Sequence, residues 1–205
     1  MSAERIYIYK RYERFWHWSQ ALLIIAMMVT GFEVHGSYHL LGFGQAVHWH
    51  SLAAWTLLVI WAFTIFWQFT TGEWRQYLPS LQNIPAMIRF YAYGIFKGED
   101  SPYHKTAAQK HNPLQRLTYL ALLAVISPLI WGSGLLYLFY AEWGNLGLDR
   151  YLSLEWVAVA HTLGAFLITA FFFVHVYLTT TGHTVFAHIK AMITGWEEIE
   201  ENSKH

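Results

Sequence analysis

WVAVAHTLGAFLITAFFFVHVYLTTT, residues 156–181, decides the reading of the whole chain. As a helix it is long enough to cross a bilayer core of about 30 Å, which takes ~20 residues. It carries two histidines, His161 and His175, fourteen positions apart. In an α-helix that separation is a rise of about 21 Å and a return to within roughly 40° of the starting direction. Both imidazoles therefore fall on one side of one membrane-spanning helix, one toward each membrane surface. Ionisable side chains at membrane depth are costly and mark functional positions, and imidazole is a common axial ligand of haem iron. The pair reads as half the ligand set of two stacked b-type haems. The plainer reading is two buried histidines hydrogen-bonding across helices.

Three more runs match the first in length and apolar character, at about 15–34, 47–69 and 117–139. With 55% apolar, 19% aromatic and only 13% charged residues, the 205-residue chain falls in the membrane class. The expected fold is all-α: one membrane domain, 1–205, built as a four-helix bundle. The absence of cysteine excludes disulfides, cysteine-held iron–sulfur clusters and covalent haem attachment. A formal net charge of zero gives no basis for nucleic-acid binding. Residues 1–14 are charged and aromatic and do not read as a cleavable signal. Two shorter amphipathic stretches are predicted to lie on the membrane surface. One presents Leu81, Ile84, Ile88, Tyr91 and Ile95; the other presents Val185, Ile189, Met192, Ile193 and Trp196. Packing of these stretches against the bundle is an equal reading.

Basic residues set the expected orientation. Arg5, Lys10, Arg11 and Arg14 precede the first span. Arg75, Arg89, Lys97, Lys105, Lys110 and Arg116 lie between the second and third, and Lys190 and Lys204 follow the fourth. Only Arg150 falls on the other side. Both termini and the long middle segment are therefore expected in the cytoplasm of a bacterial inner-membrane, multi-pass protein.

Each haem needs a second histidine at matching depth. His17 begins the first span on the cytoplasmic side, level with His175; His48 and His50 begin the second on the outer side, level with His161. His48 and His50 are about 200° apart on a helix and cannot both face one haem. His50 is preferred because it lies deeper and Ala53 and Ala54 leave room beside it. His35, eighteen residues after His17, rises about 27 Å and overshoots the outer level. Gly31, fourteen after His17, is at that level. It is expected to let a porphyrin approach the backbone, as are Gly164 and Ala165, with close helix packing the competing reading.

Several motifs then make the sequence resemble a known family. These are Arg14–Phe15–Trp16–His17–Trp18, His50, the His161/His175 pair, His111–Asn112–Pro113–Leu114–Gln115, and His175–Val176–Tyr177 leading into Thr181–Gly182–His183–Thr184. The chain resembles the bacterial di-haem cytochrome b membrane subunits of formate dehydrogenase, nickel–iron hydrogenase and thiosulfate reductase over nearly its whole length. The thiosulfate-reductase-like branch is the nearest, on Asn112–Pro113–Leu114–Gln115 and Met192–Ile193–Thr194–Gly195.

The resemblance implies two haems b, ligated by His17 with His175 and by His50 with His161. It implies electron transfer between quinone near the cytoplasmic haem and a periplasmic redox subunit, an iron–sulfur or multihaem protein. Asn112 matches an asparagine at the quinone site of the formate dehydrogenase subunit. Quinone chemistry includes a proton step, so His111, Gln115 and His183 join Asn112 as candidates. The competing reading makes Asn112–Pro113 a helix start and leaves His111 and His183 as interfacial residues. Two other functions compete: a self-sufficient superoxide–quinone oxidoreductase on a similar core, and a haem-free transporter whose histidines relay protons or bind metal.

Overall fold

The structure is a computed structural model that describes residues 4–80, 82–99, 101–103, 110–182 and 184–199. Four helical segments have the length and composition to cross a membrane: Arg11–Val34, Phe43–Thr71, Pro113–Leu138 and Leu154–Thr179. Each begins two to four residues before the expected span, because polar end residues such as Arg11 and Gln45 join the helix. Large apolar side chains point away from protein along these spans, among them Leu22, Phe66 and Phe173. That outward-facing surface is the complement of lipid.

The chain divides into two compact units. One contains strand β1 (Glu4–Tyr7), helices α1 (Arg11–Val34) and α2 (Phe43–Thr71), Lys110, and the chain after α7, with helix α8 (Ala187–Thr194) and strand β2 (Trp196–Ile199). The other contains α3 (Ile84–Ala92), α4 (Pro113–Ala121), α5 (Ser127–Leu138), the short α6 (Trp143–Leu146) and α7 (Leu154–Thr179).

In the first unit α1 and α2 form a helical hairpin closed by Glu33. Its Oε1 accepts the N–H groups of Leu40, Leu41 and Gly42 at 2.8, 2.6 and 2.7 Å. Gly42 then starts α2 from a φ of 85°, a conformation that glycine adopts without strain. At the other end Tyr12 reaches Thr64 at 3.1 Å and its ring packs 4.8 Å from that of Trp67. Lys110 is buried below this end. Its Nζ donates to Glu13 at 2.8 Å and to Glu73 at 3.1 Å, and Lys10 also bonds Glu73.

Sequence pattern did not foresee the ribbon of β1 and β2. The strands pair antiparallel, Glu4 opposite Ile199 and Tyr7 opposite Trp196. Gly195, at φ 89°, makes the turn into it, and its carbonyl accepts the N–H groups of Ile8 and Tyr9. A Cβ there would stand 2.5 Å from the Tyr7 ring.

In the second unit the third span is not one regular helix. Residues Leu122–Ile126 widen into a π-helical turn between α4 and α5. Pro128 follows immediately; it offers no N–H, and its ring crowds the carbonyl four residues back. The expected surface stretches are helical but shorter and differently faced. In α3 the fully buried residue is Met87, while Ile88 turns outward. Leu81 lies outside the described residues. In α8 Ala187 and Ala191 face the protein, and Ile193, like Val185 and Trp196 beside the helix, stays exposed. The small side chains allow close approach on one face and leave the bulky apolar ones to the membrane surface.

Candidate cofactor site

Two histidines are held by the same local device, one in each unit. In the first, His50 on α2 meets Thr30 on α1, with Nδ1 3.1 Å from the threonine hydroxyl. That hydroxyl also lies 2.8 Å from the carbonyl of Ala26, one turn back on its own helix. A carbonyl can only accept, so the single hydroxyl proton goes to Ala26 and Nδ1 must donate. Nε2 then carries the lone pair, which is the form of imidazole that ligates a metal. Gly31, next to Thr30, makes room for the ring; a Cβ there would stand 3.2 Å from His50 Cε1.

In the second unit His161 on α7 meets Ser133 on α5 at 3.1 Å from Nδ1. The Ser133 hydroxyl lies 2.6 Å from the carbonyl of Leu129. The Ile130 carbonyl, 3.2 Å from the same Nδ1, fixes the proton there independently. Gly134 follows Ser133, and its absent Cβ would meet His161 Cε1 at 3.1 Å. Gly164 packs against Ile130, its Cβ position 3.1 Å from Ile130 Cβ. The two glycines thus make room for protein: Gly31 for the His50 ring, Gly164 for a neighbouring helix.

Each unit carries a second imidazole far along its own helix. α7 is unbroken from Leu154 to Thr179, so His175 stands about 21 Å from His161 on nearly the same face. Its ring stacks on Phe171 with centroids 5.6 Å apart. α1 is unbroken from Arg11 to Val34, so His17 and Gly31, beneath His50, are separated by the same rise of about 21 Å. The ring of Trp18 stands edge-on to His17, and its indole N–H donates to the carbonyl of Met192 at 3.2 Å. Arg14 donates to the carbonyl of Ile193. These two bonds anchor the His17 end of α1 to α8.

Four half-buried imidazoles, with Nδ1 engaged and Nε2 basic at His50 and His161, fit an axial-ligand set. His48 is exposed and packs edge-on to Trp49; His50 is the histidine held in the hairpin. Among the described residues no group of three or more His, Asp or Glu side chains is arranged to hold a bare metal ion.

The polar candidates gather at the start of α4 in the second unit. Asn112 is its N-cap: Oδ1 accepts from the backbone N–H of Gln115 at 2.8 Å, and Gln115 Oε1 accepts from that of Asn112 at 3.0 Å. This reciprocal cap satisfies two donors that a helix start leaves open. Asn112 Nδ2 donates to the hydroxyl of Tyr91 at 2.9 Å, so both ends of its buried amide are engaged. The His111 ring packs against Tyr77 and Tyr119, with centroids 5.2 and 5.0 Å away. His183 lies outside the described residues, as do Lys105 and Lys204.

Sequence reasoning did not single out Thr30, Ser133 or Gly134, or give Tyr91 more than a place on an apolar face. The available signal was a hydroxyl residue followed by glycine inside an apolar run, Thr30–Gly31 and Ser133–Gly134; the same pair recurs outside the runs or at their ends, at Thr71–Gly72, Thr181–Gly182 and Thr194–Gly195.

Comparison with known proteins identifies the family. The prokaryotic cytochrome b561 family model matches residues 8–195. The Escherichia coli (strain K12) protein that carries the name cytochrome YdhU is 31% identical over 202 residues, covering 94% of this chain and 75% of the relative. No solved structure matches. The chain belongs to the prokaryotic cytochrome b561 family and is a multi-pass bacterial membrane cytochrome b of transmembrane electron transfer.

Proposed function

We propose that the chain holds two b-type haems, one between His17 and His175 near the cytoplasmic face and one between His50 and His161 near the outer face. It serves as the membrane-anchor subunit of an oxidoreductase, of the kind resembled by the thiosulfate-reductase branch. It links the quinone pool to a redox subunit on the outer side. The observation that carries this reading is the equal spacing of imidazole levels, about 21 Å, along α1 and along α7. Haem b supplies reversible one-electron chemistry at its iron. The residues supply the rest: Thr30 and Ser133 orient the outer imidazoles, the apolar spans exclude water, and the anchored ends of α1 hold His17. The quinone is placed near the start of α4, among His111, Asn112 and Gln115, with His183 as a further candidate. The excess of basic residues puts both termini in the cytoplasm.

The test is haem content and redox titration of the purified protein and of four single variants. Two haems are expected in the wild type. His50→Ala and His161→Ala should lose the same one, and His17→Ala and His175→Ala the other. A wild type with one haem, or His50→Ala and His161→Ala losing different centres, would overturn the pairing.

A further inference from the structure

The start of α4 has a hydrogen-bond order that can be followed atom by atom. The backbone N–H of Gln115 can only donate, and it points at one end of the Asn112 amide at 2.8 Å. That end is therefore the oxygen. The opposite end, Nδ2, faces the Tyr91 hydroxyl at 2.9 Å and has only protons to give. The phenol oxygen accepts, and its own proton is left to donate elsewhere. Among the described residues no hydrogen bond takes that proton. Tyr91 is half-buried on α3. Burial raises its pKa above the ordinary 10.0 and outweighs the opposing effect of the Asn112 hydrogen bond, so the hydroxyl stays protonated. Beside the cap, the rings of Tyr77, His111 and Tyr119 form an aromatic cluster, within 5.6 Å of one another.

We infer that Tyr91, not Asn112, gives the hydrogen bond to the quinone carbonyl oxygen, and that Asn112 is the positioning residue that aims the phenol proton. This rests on the quinone reading above. Asn112 has one proton committed to Tyr91 and its oxygen committed to Gln115; Tyr91 keeps a donor that no hydrogen bond among the described residues takes.

The experiment uses the haem-loaded protein, reduced with dithionite and reoxidised by duroquinone over a range of concentrations. Tyr91→Phe should keep both haem spectra and the limiting rate but raise the half-saturating duroquinone concentration about tenfold, the worth of one hydrogen bond. Asn112→Asp keeps an oxygen for the Gln115 cap but sets a carboxylate oxygen against the phenol, which then gives its proton to Asp. It should raise the half-saturating concentration as much as Tyr91→Phe does. The double variant should be no worse than Tyr91→Phe alone. Wild-type saturation in Tyr91→Phe would overturn the inference, as would a second full loss when Asn112→Asp is added to it. A wild type that exchanges no electrons with duroquinone would remove the quinone reading itself, a result distinct from an unaffected Tyr91→Phe.

Discussion

Thr30 Oγ1 stands 3.1 Å from His50 Nδ1 and gives its own proton to the Ala26 carbonyl at 2.8 Å. The threonine is therefore an acceptor for the imidazole N–H, and Ser133 repeats the arrangement on His161. An N–H engaged in this way makes Nε2 a stronger donor to a bound metal, and on the proposed ligand set that metal is haem iron. Thr30→Val and Ser133→Ala remove it. Each should weaken haem retention roughly 10–100-fold and raise the potential of one haem, because a less electron-rich imidazole favours the ferric state less. Thr30→Ser should restore both properties. Potentiometric titration with haem quantification checks this; a loss that Thr30→Ser fails to restore would point to packing instead.

Three glycine-to-alanine changes should separate by what the new methyl meets. Gly31→Ala and Gly134→Ala place it 3.2 and 3.1 Å from an imidazole edge. They should disturb the haem spectrum more than the fold. Gly164→Ala places it 3.3 Å from the backbone of Ile130, which cannot swing aside. It should lower stability by about 1–3 kcal/mol through overpacking while leaving the His50 arrangement intact. Thermal unfolding in detergent and haem spectra distinguish the two outcomes.

The fold was legible in the sequence where one physical rule dominated. Four apolar runs announced four spans, and the spacing of His161 and His175 survived because α7 contains no break. The site was legible only along single helices. Thr30 and His50 are twenty positions apart, and Ser133 and His161 twenty-eight, and nothing local says that such residues meet. The two four-residue strands are too short for alternation to register and lie at opposite ends of the chain. The irregularity in the third span was not read from the sequence; Pro128 marks its place, but the form it takes, a π-turn from Leu122, depends on packing around it.

Removing the buried cation beside the start of α1 should be severe. Lys110 is 4% exposed between Glu13 and Glu73. Lys110→Met leaves the Glu13 and Glu73 carboxylates with Lys10 as their remaining cation among the described residues, and should cost about 3–5 kcal/mol. Glu73→Gln in that background should recover part of the loss. Unfolding midpoints of the single and double variants measure the coupling.

The same cluster sets a pH window. Burial disfavours ionised Glu73, but hydrogen bonds from Lys10 and Lys110 outweigh it and hold its pKa below the ordinary 4.5. A depressed carboxylate pKa adds stability above 4.5 that disappears as pH falls through the folded value. Lys10, raised above 10.5 chiefly by its hydrogen bond to Glu73, adds stability below 10.5 that is lost as pH rises through its own folded value. Thermal midpoints should therefore be highest between these limits, and Glu73→Gln should flatten both flanks. Unchanged flanks in that variant would assign the pH dependence to other groups.

The β1–β2 ribbon also fixes an order of construction. The second unit is drawn almost entirely from residues 77–178, so its helices and the Ser133–His161 contact can form while the ribosome is still making the tail. The first unit must wait, because Glu4 pairs with Ile199, the width of the chain away. Its hairpin of α1 and α2 can enter the bilayer early, but β1 has no partner until Trp196–Ile199 leave the ribosome. Of the two strands, the one synthesised earlier thus waits for nearly the whole intervening chain before it is fastened.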